Sequence, residues 1–377
     1  MTARPDSLDK GSRAAALVGM AAFGRRDPAA AAARRERRFA LIDRASRYLT
    51  PFGLGWAVPV LRIAVGDSVK VQGKEVWRQL GIPVLAVLLF LGFWAVLAPK
   101  VQTSLGALPG PVEVWAQAKV LYADHLAERQ RARAFYERQE ARNAELLQAD
   151  PRSPVKIRPY TGKPTYLDQI LTSLETVFTG FLLASLVAIP LGVLCGLSRN
   201  VNAALNPLVQ VFKPVSPLAW LPIVTMVVSA LYVSDNPALP KSFLVSAITV
   251  TLCSLWPTLI NTAVGVASID RDLVNVSRVL RLTWRATLLR LVLPSALPYI
   301  STGLRLSLGV GWMVLIAAEM LAQNPGLGKF VWDEFQNGSS ESLAKIMVAV
   351  LTIGIIGFLL DRVMLALQSA FTHATVR

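Results

Sequence analysis

Cysteine and histidine are scarce in this chain of 377 residues, which contains two of each. Cys195 and Cys253 lie inside apolar runs and lack Cys-x-x-Cys spacing, which argues against a disulfide framework or a thiolate metal site. His125 and His373 are isolated from any nucleophile, metal or phosphate constellation. A Gly-x-x-x-x-Gly-Lys-Ser/Thr loop is missing as well, so the chain has no nucleotide-hydrolysing motif of its own. The sequence therefore predicts that this chain is not itself an enzyme.

Acidic residues are also few, because 24 Asp and Glu stand against 39 Lys and Arg and give a formal net charge of +15. The basic residues lie in blocks beside apolar runs rather than on one soluble face, which argues against nucleic-acid binding. Hydrophobic residues make up 53% of the chain, and the mean hydropathy is +0.47. A soluble domain does not need so much apolar surface, so the chain is predicted to lie in a membrane.

Long apolar runs predict an all-α polytopic membrane protein with six transmembrane helices. The runs span residues 82–98, 174–197, 206–232, 239–263, 300–321 and 343–367. Four prolines must break or kink the third run, namely Pro207, Pro214, Pro217 and Pro222. Irregular backbone at membrane depth is tolerated only where protein or a water-filled cavity satisfies it. The third run is therefore a candidate wall of a translocation pathway.

Small residues recur at every fourth position of the second run and at the same spacing in the fifth. They are Gly180, Ala184, Ala188, Gly192 and Gly196, then Gly303, Ser307 and Gly311. Such stripes let neighbouring helices approach closely, and helix packing is the predicted role.

The segments outside the apolar runs are polar or basic. In chain order they are a tail with an interfacial elbow at its end (1–81), a charged insert (99–166) and a C-terminal tail (369–377). Within the first, residues 29–41 predict either a basic helix on anionic lipid or a solvated tail. Residues 52–65 form the elbow, which is too short to span. Within the insert, residues 112–149 predict a solvated helical hairpin.

The loop over residues 264–298 is a polar, arginine-bearing stretch between two apolar runs. Asp270 and Asp272 favour a helix start, and leucines and valines then recur at helical spacing among arginines. Pro294 and Pro298 are predicted to break this pattern. A segment with an apolar stripe and a basic rim lies on lipid or inserts into a groove of a soluble partner.

Asn275 to Pro294 resembles the cytoplasmic loop signature of ABC importer permeases, which runs Glu-Ala-Ala, three residues, Gly, then Ile-x-Leu-Pro. Asn275-Val-Ser stands where the signature has Glu-Ala-Ala, Arg281 stands where it has Gly, and Leu291-x-Leu-Pro294 fills the close. Three flanking stretches are similar to the branch serving nitrate, bicarbonate, cyanate, taurine and alkanesulfonates. They read PVSPLAWLPI at 214–223, LPYISTGLR at 297–305, and AAEML at 317–321 followed by NPGLG at 324–328. The Asn-Val opening and FVWDEF at 330–335 look most like nitrate permeases.

The resemblance covers roughly 167–368 and implies a type I ABC importer permease core without a bound cofactor, in which a partner subunit uses ATP. It also implies a homodimer, cytoplasmic ABC ATPase subunits and a periplasmic substrate-binding protein. Loop residues 269–290 carry five Arg against two Asp, so the loop and both termini are expected on the cytoplasmic side of a bacterial inner membrane. The charged insert 99–166 is then expected in the periplasm. The implied ATPase-coupling residues are Asn275, Val276, Ser277, Arg278, Val279, Leu280, Arg281 and Leu282.

Polar residues near the runs are candidates for a pathway, although such residues equally hold helices together. They are Ser216, Trp220, Thr258, Asn261 and Arg305. Arg305 and Glu319 are the ionisable residues of the fifth run, and both could also snorkel or cap neighbouring helices. Two other protein classes stay open, a secondary transporter and a membrane scaffold that recruits a soluble partner.

Overall fold

The computed structural model describes residues 28–50, 53–103, 106–150, 155, 157–233, 239–339 and 341–375. These residues form helices almost throughout, together with one two-stranded antiparallel hairpin, so the predicted all-α class is confirmed. Five helices are long and apolar enough to cross a membrane, or six if one bent helix pair is counted as a span. The beginning of the predicted N-terminal tail, up to residue 27, lies outside the described residues.

Two compact units divide the chain, Met1–Ala86 and Val87–Arg377. The described helices of the first unit are α1 (Pro28–Leu49), α2 (Ala57–Ala64) and α3 (Val69–Val76), and a π-helical turn (Trp77–Gly81) leads into α4 (Ile82–Leu97). Helix α2 occupies the predicted elbow, where Pro59 is buried. Arg62 of α2 forms an ion pair with Asp43 of α1 at 2.6 Å. The first apolar run is part of a longer helical stretch, Val69–Lys100.

The charged insert contains one helix rather than the predicted hairpin. After strands β1 (Gln102–Thr103) and β2 (Gly106–Ala107), helix α5 runs unbroken from Pro111 to Ala149. The hairpin prediction was wrong because residues 112–149 contain no glycine or proline that could turn the chain.

Residues 157–165 return along α5 as an extended segment held by side chains. The Tyr160 hydroxyl donates to Glu128 at 2.7 Å, and this hydrogen bond holds the pKa of the Glu128 carboxyl below its ordinary value. The Gln139 amide bonds both the backbone N–H and the carbonyl of Arg158, at 2.8 and 2.9 Å. The insert is therefore a long helix braced by its own return segment.

Three long helices form the centre of the second unit: α6 (Tyr166–Leu197), α9 (Lys241–Ala267) and α12 (Leu293–Ala322). The small residues of α6 face α9, as predicted. A methyl group added at Gly192 would lie 2.6 Å from Cβ of Thr262 and 2.8 Å from the carbonyl oxygen of Leu259. Against the same helix α9, Ser307 of α12 bonds the Thr258 hydroxyl at 2.7 Å. Helix α9 is thus packed closely between α6 and α12.

The third apolar run is broken, which confirms the prediction from its prolines. Helix α7 (Arg199–Phe212) and helix α8 (Pro217–Leu231) meet at an angle of 103°. Pro214 and Pro217 lie at the break, whereas Pro207 and Pro222 stay inside the two helices. Helix α8 packs against α9 and α12 through a small apolar cluster. Its buried members are Leu221, Val224, Val228, Val245 and Ala318.

The loop after α9 contains α10 (Arg271–Val279), α11 (Trp284–Thr287) and a π-helical turn (Leu288–Val292), which continues directly into α12. Pro294 and Pro298 do not end the helix, contrary to the sequence-based expectation. Pro294 lies in the first turn of α12, directly after the π turn, and Pro298 lies inside the helix. Helices α13 (Leu327–Asn337) and α14 (Ser342–Thr375) complete the chain.

We predict that Gly192→Ala lowers the free energy of unfolding by about 1–3 kcal/mol, because the added methyl group forces α6 away from α9. Thermal unfolding in detergent measures the effect. Gly92→Ala is the matched control, since a methyl group there meets nothing within 4 Å. Equal unfolding temperatures for the two variants would show that the close approach contributes little to stability.

Candidate functional site

Helix α10 begins with a side-chain cap and ends in a sharp turn. The Asp270 carboxylate accepts from the backbone N–H of Asp272 at 2.9 Å, which confirms the predicted helix start. After Val279 the chain turns through Arg281, whose φ is 47°. The predicted single helix is therefore two helices separated by a turn.

Arg281 occupies a left-handed conformation that favours glycine. Its backbone N–H donates to Arg278 O at 3.0 Å, and the N–H of Leu282 donates to Ser277 O at 3.0 Å. A side chain in this conformation costs roughly 1–2 kcal/mol relative to glycine. The loop signature that the chain resembles has glycine at this position, so the sequence already carried a signal for this turn.

One face of α10 and its turn exposes apolar side chains, here called the loop face and made of Leu273, Val276, Val279 and Leu280. Their exposed fractions are 46, 52, 82 and 64%. Arg278 is also exposed, whereas Ser277 is buried and its hydroxyl donates to Val274 O at 2.7 Å. Exposed apolar side chains of this size on α10 require lipid or a partner protein to cover them.

Two of the candidate pathway residues lie at the broken span. The Ser216 hydroxyl caps α8 by accepting from the N–H of Leu218 at 3.3 Å. The Trp220 ring lies 5.7 Å from the Phe212 ring, which stacks on Trp256 at 6.4 Å. The indole nitrogens of both tryptophans are buried, and neither has a hydrogen-bond partner among the residues that the structure describes. We call Phe212, Trp220 and Trp256 the aromatic elbow.

The other candidate pathway residues are engaged in helix contacts. Thr258 is fully buried and bonded to Ser307, and the Asn261 amide donates to Pro257 O at 2.8 Å. Arg305 donates two hydrogen bonds to Asp361 of α14, at 2.6 and 3.0 Å. An anion contacting Arg305 would share it with that carboxylate, and the direct contact stays a prediction.

Glu319 lies at the centre of a buried polar network near the end of α12. Its carboxylate accepts from the Ser173 hydroxyl at 2.8 and 2.9 Å and from the backbone N–H of Gly328 at 3.0 Å. The Ser173 oxygen in turn accepts from the N–H of Leu327 at 2.8 Å. Glu319 is fully buried, so it does not snorkel. Because it accepts from the N–H of Gly328, it caps α13, which was one of the two expectations for this residue.

The glycines of the Asn-Pro-Gly-Leu-Gly stretch let the backbone reach this carboxylate. A methyl group at Gly326 would overlap the Glu319 carboxylate, and one at Gly328 would overlap the carbonyl oxygen of Ile316. Sequence reasoning identified the motif without its role. The available signal was a glutamate in an apolar run followed closely by two glycines.

Within the described residues, no group of three or more His, Cys, Asp and Glu side chains is placed to hold a metal ion. The arrangement instead offers an exposed amphipathic helix joined through a turn to a long membrane helix.

Comparison with known proteins gives a family and several relatives. Residues 188–373 match the family of binding-protein-dependent transport system inner membrane components. The bicarbonate transport system permease protein CmpB of Synechococcus elongatus is 34% identical over 302 residues, covering 79% of this chain and 92% of that protein. The nitrate import permease protein NrtB of Synechocystis is 40% identical over 206 residues, covering 55% of this chain and 70% of that protein. A solved chain of the inward-facing MetNI methionine ABC transporter is 15% identical, with a TM-score of 0.47. The match covers 55% of this chain and 95% of that chain.

We predict that Glu319→Gln lowers the free energy of unfolding by about 1–3 kcal/mol, because the amide replaces one acceptor with a donor opposite the N–H of Gly328 or the Ser173 hydroxyl. Thermal unfolding in detergent tests this. The same substitution at exposed Glu341 is the control and is expected to have little effect. Equal unfolding temperatures for Glu319→Gln and Glu341→Gln would contradict the capping role.

Proposed function

Because this chain belongs to the family of binding-protein-dependent transport system inner membrane components, we propose that it is the permease subunit of an ATP-driven importer of nitrate. At the coarser level, it is an ABC importer permease of the nitrate/bicarbonate type and a multi-pass inner-membrane protein. The family implies ATPase and substrate-binding protein partners.

The exposed loop face is the observation that carries the coupling role. The proposed ATPase groove covers Val276, Val279 and Leu280, which are at least half exposed in the isolated chain. Because α11 and the π turn continue into α12, a displacement of α10 reaches a helix that packs on α9. ATP-driven closure of two ATPase subunits would draw two copies of α10 together and open the spans outward, and hydrolysis would reverse the movement. This proposal includes a homodimer and cytoplasmic termini.

Nitrate is the proposed substrate, with bicarbonate as the main alternative. Support for nitrate comes from the Asn-Val opening of the loop and from 40% identity to a nitrate permease over 206 residues. Support for bicarbonate comes from a permease that matches over 92% of its length. Cyanate, taurine and alkanesulfonates belong to the same proposed substrate group.

The proposed pathway comprises Ser216, Trp220, Thr258, Asn261 and Arg305. Trp220 is the strongest member, because its indole N–H is buried without a partner beside the break in the third span. A neutral donor at irregular backbone suits an anion that must bind and then leave.

A secondary transporter is the less favoured alternative, because such a protein needs buried acids free for ion coupling. Glu319 is buried, but its hydrogen bonds to Ser173 and Gly328 commit it to the cap of α13. A passive scaffold would not need the 103° break between α7 and α8.

We predict that the double variant Arg278→Glu/Arg281→Glu uncouples ATPase activity from uptake and still inserts in the membrane. Reversed charge beside the loop face weakens docking of the ATPase. Reconstituted vesicles containing the ATPase subunits measure both activities.

Arg285→Glu/Arg290→Glu is the matched control for this variant. It makes the same change in net charge at exposed arginines outside residues 275–282 and is expected to keep coupling. Equal loss of coupling in both double variants would favour a loop that lies on anionic lipid. Unchanged coupling in Arg278→Glu/Arg281→Glu would contradict the docking role.

We predict that labelled nitrate uptake, in cells that depend on this permease, is inhibited more strongly by excess unlabelled nitrate than by equimolar bicarbonate, cyanate or taurine. Uptake by cells lacking the permease gives the background. Stronger inhibition by bicarbonate, together with permease-dependent uptake of labelled bicarbonate, would assign bicarbonate instead.

A further inference from the structure

A groove of about 220 Å³ lies between α12 and α14. Its lining includes Leu308, Gly309 and Trp312 of α12 and Gly357, Leu360 and Met364 of α14. A methyl group at Gly309 would meet nothing within 4 Å, so open space lies beside this residue. A methyl group at Gly357 would lie only 3.0 Å from the Trp312 ring, so this glycine lets the indole pack closely against α14. The groove is therefore an open, apolar channel between two otherwise packed helices.

The two ends of the groove differ in polarity. At one end, Arg305 and Asp361 form their two-bond ion pair and both line the groove. At the other end, the Trp312 indole donates to the carbonyl oxygen of Ile353 at 3.0 Å and ties the helices together. Arg305 and Trp312 are seven positions apart on the helix, a rise of about 10 Å. A charged end and an apolar body thus lie in line along the helix axis.

Helix lengths place the charged end of the groove near one edge of the hydrocarbon layer. Asp361 directly follows the apolar run 346–360 of α14. Arg305 lies 17 residues, a rise of about 25 Å, from the far end of α12 at Ala322, which places it toward the opposite edge of a hydrocarbon layer of about 30 Å. Arg362 supplies a second cation next in the chain to Asp361, with its guanidinium 4.8 Å from the Phe358 ring.

The side chains around the groove suit hydrocarbon rather than water. Exposed side chains adjacent in sequence to the lining residues are large and apolar on both helices. They are Leu306, Met313, Phe358, Leu359 and Val363. In a membrane these side chains would face lipid tails, so an acyl chain is the apolar group available to fill the groove.

We propose that this groove binds one molecule of phosphatidylethanolamine. Its phosphate lies against Arg305, which has five N–H donors and gives two of them to Asp361. Its ammonium group lies against the Asp361 carboxylate, and an acyl chain fills the channel past Gly309 toward Trp312. The site needs only insertion in a membrane and does not depend on coupling. A lipid phosphate on Arg305 would remove this residue from the proposed pathway and leave the pathway's other members unaffected.

Gly309→Leu tests the acyl-chain part, because its Cβ meets nothing within 4 Å and the rest of the side chain occupies space in the groove. The full-length protein is purified from cells, stripped of loosely bound lipid in detergent, and examined by native mass spectrometry. We expect retained phosphatidylethanolamine to fall at least about tenfold relative to the unmodified protein. Gly354→Leu is the matched control, since Gly354 also faces open space on α14, one turn from Gly357 and outside the groove lining, and it should retain the lipid.

Asp361→Asn tests the headgroup part. Loss of the carboxylate removes the partner of the ammonium group and leaves Arg305 unpaired, so preference should shift from phosphatidylethanolamine to phosphatidylglycerol in competition between the two. Thermal unfolding checks that the variant folds, and Gly309→Leu carries the test if it does not.

Three results would overturn the proposal. One is equal lipid retention by Gly309→Leu and Gly354→Leu, which indicates only annular lipid. Another is unchanged lipid preference in folded Asp361→Asn. The third is loss of a dimer mass in Gly309→Leu without loss of lipid, which would assign the groove to a second copy of the chain.

Discussion

Polar groups in a hydrocarbon layer must find their partners within the protein, and the packing of α9 meets this requirement. Glycines at 180, 192 and 196 bring α6 so close that added methyl groups would collide with carbonyl oxygens of α9. Where α9 meets α12, Ser307 bonds both the Thr258 hydroxyl and the carbonyl oxygen of Ser254. Close approach thus satisfies hydroxyl groups and gains dispersion contacts at the same positions.

A tightly packed centre limits movement to the places where the helices are interrupted. Helix α10 is separated from α11 by the left-handed turn at Arg281, and α7 is separated from α8 by the prolines at 214 and 217. The π turn before α12 keeps the loop and the membrane helix continuous. A force applied at the loop face would first pass the turn at Arg281 and then move α11 and α12 together, and α9 would share this movement through its packed interface with α12.

Composition and spacing predicted the helical class, the small-residue faces and the broken third span, because each depends on local chemistry. Three local expectations failed: the hairpin in the insert, the single helix after Asp270, and the helix end at Pro294 and Pro298. Residues 112–149 form one helix since nothing in them turns the chain, and Pro298 is accommodated inside α12. The sequence did not predict which side chains bond each other across helices. Ser173 and Glu319 are 146 residues apart, and Arg305 and Asp361 are 56 apart. No pattern in either run alone identifies the other side chain.

Most polar side chains of the proposed pathway already have hydrogen-bond partners within the protein. Thr258 and Glu319 bond neighbouring helices, and Arg305 is paired with Asp361. Trp220 and Trp256 differ, because their buried indole nitrogens have no partner and their rings lie on Phe212 at the broken span. A fully charged, desolvated site would hold an anion too tightly for release, whereas neutral donors bind it weakly. In the proposed pathway, selection between small anions would then rest on the geometry of the aromatic elbow rather than on net charge.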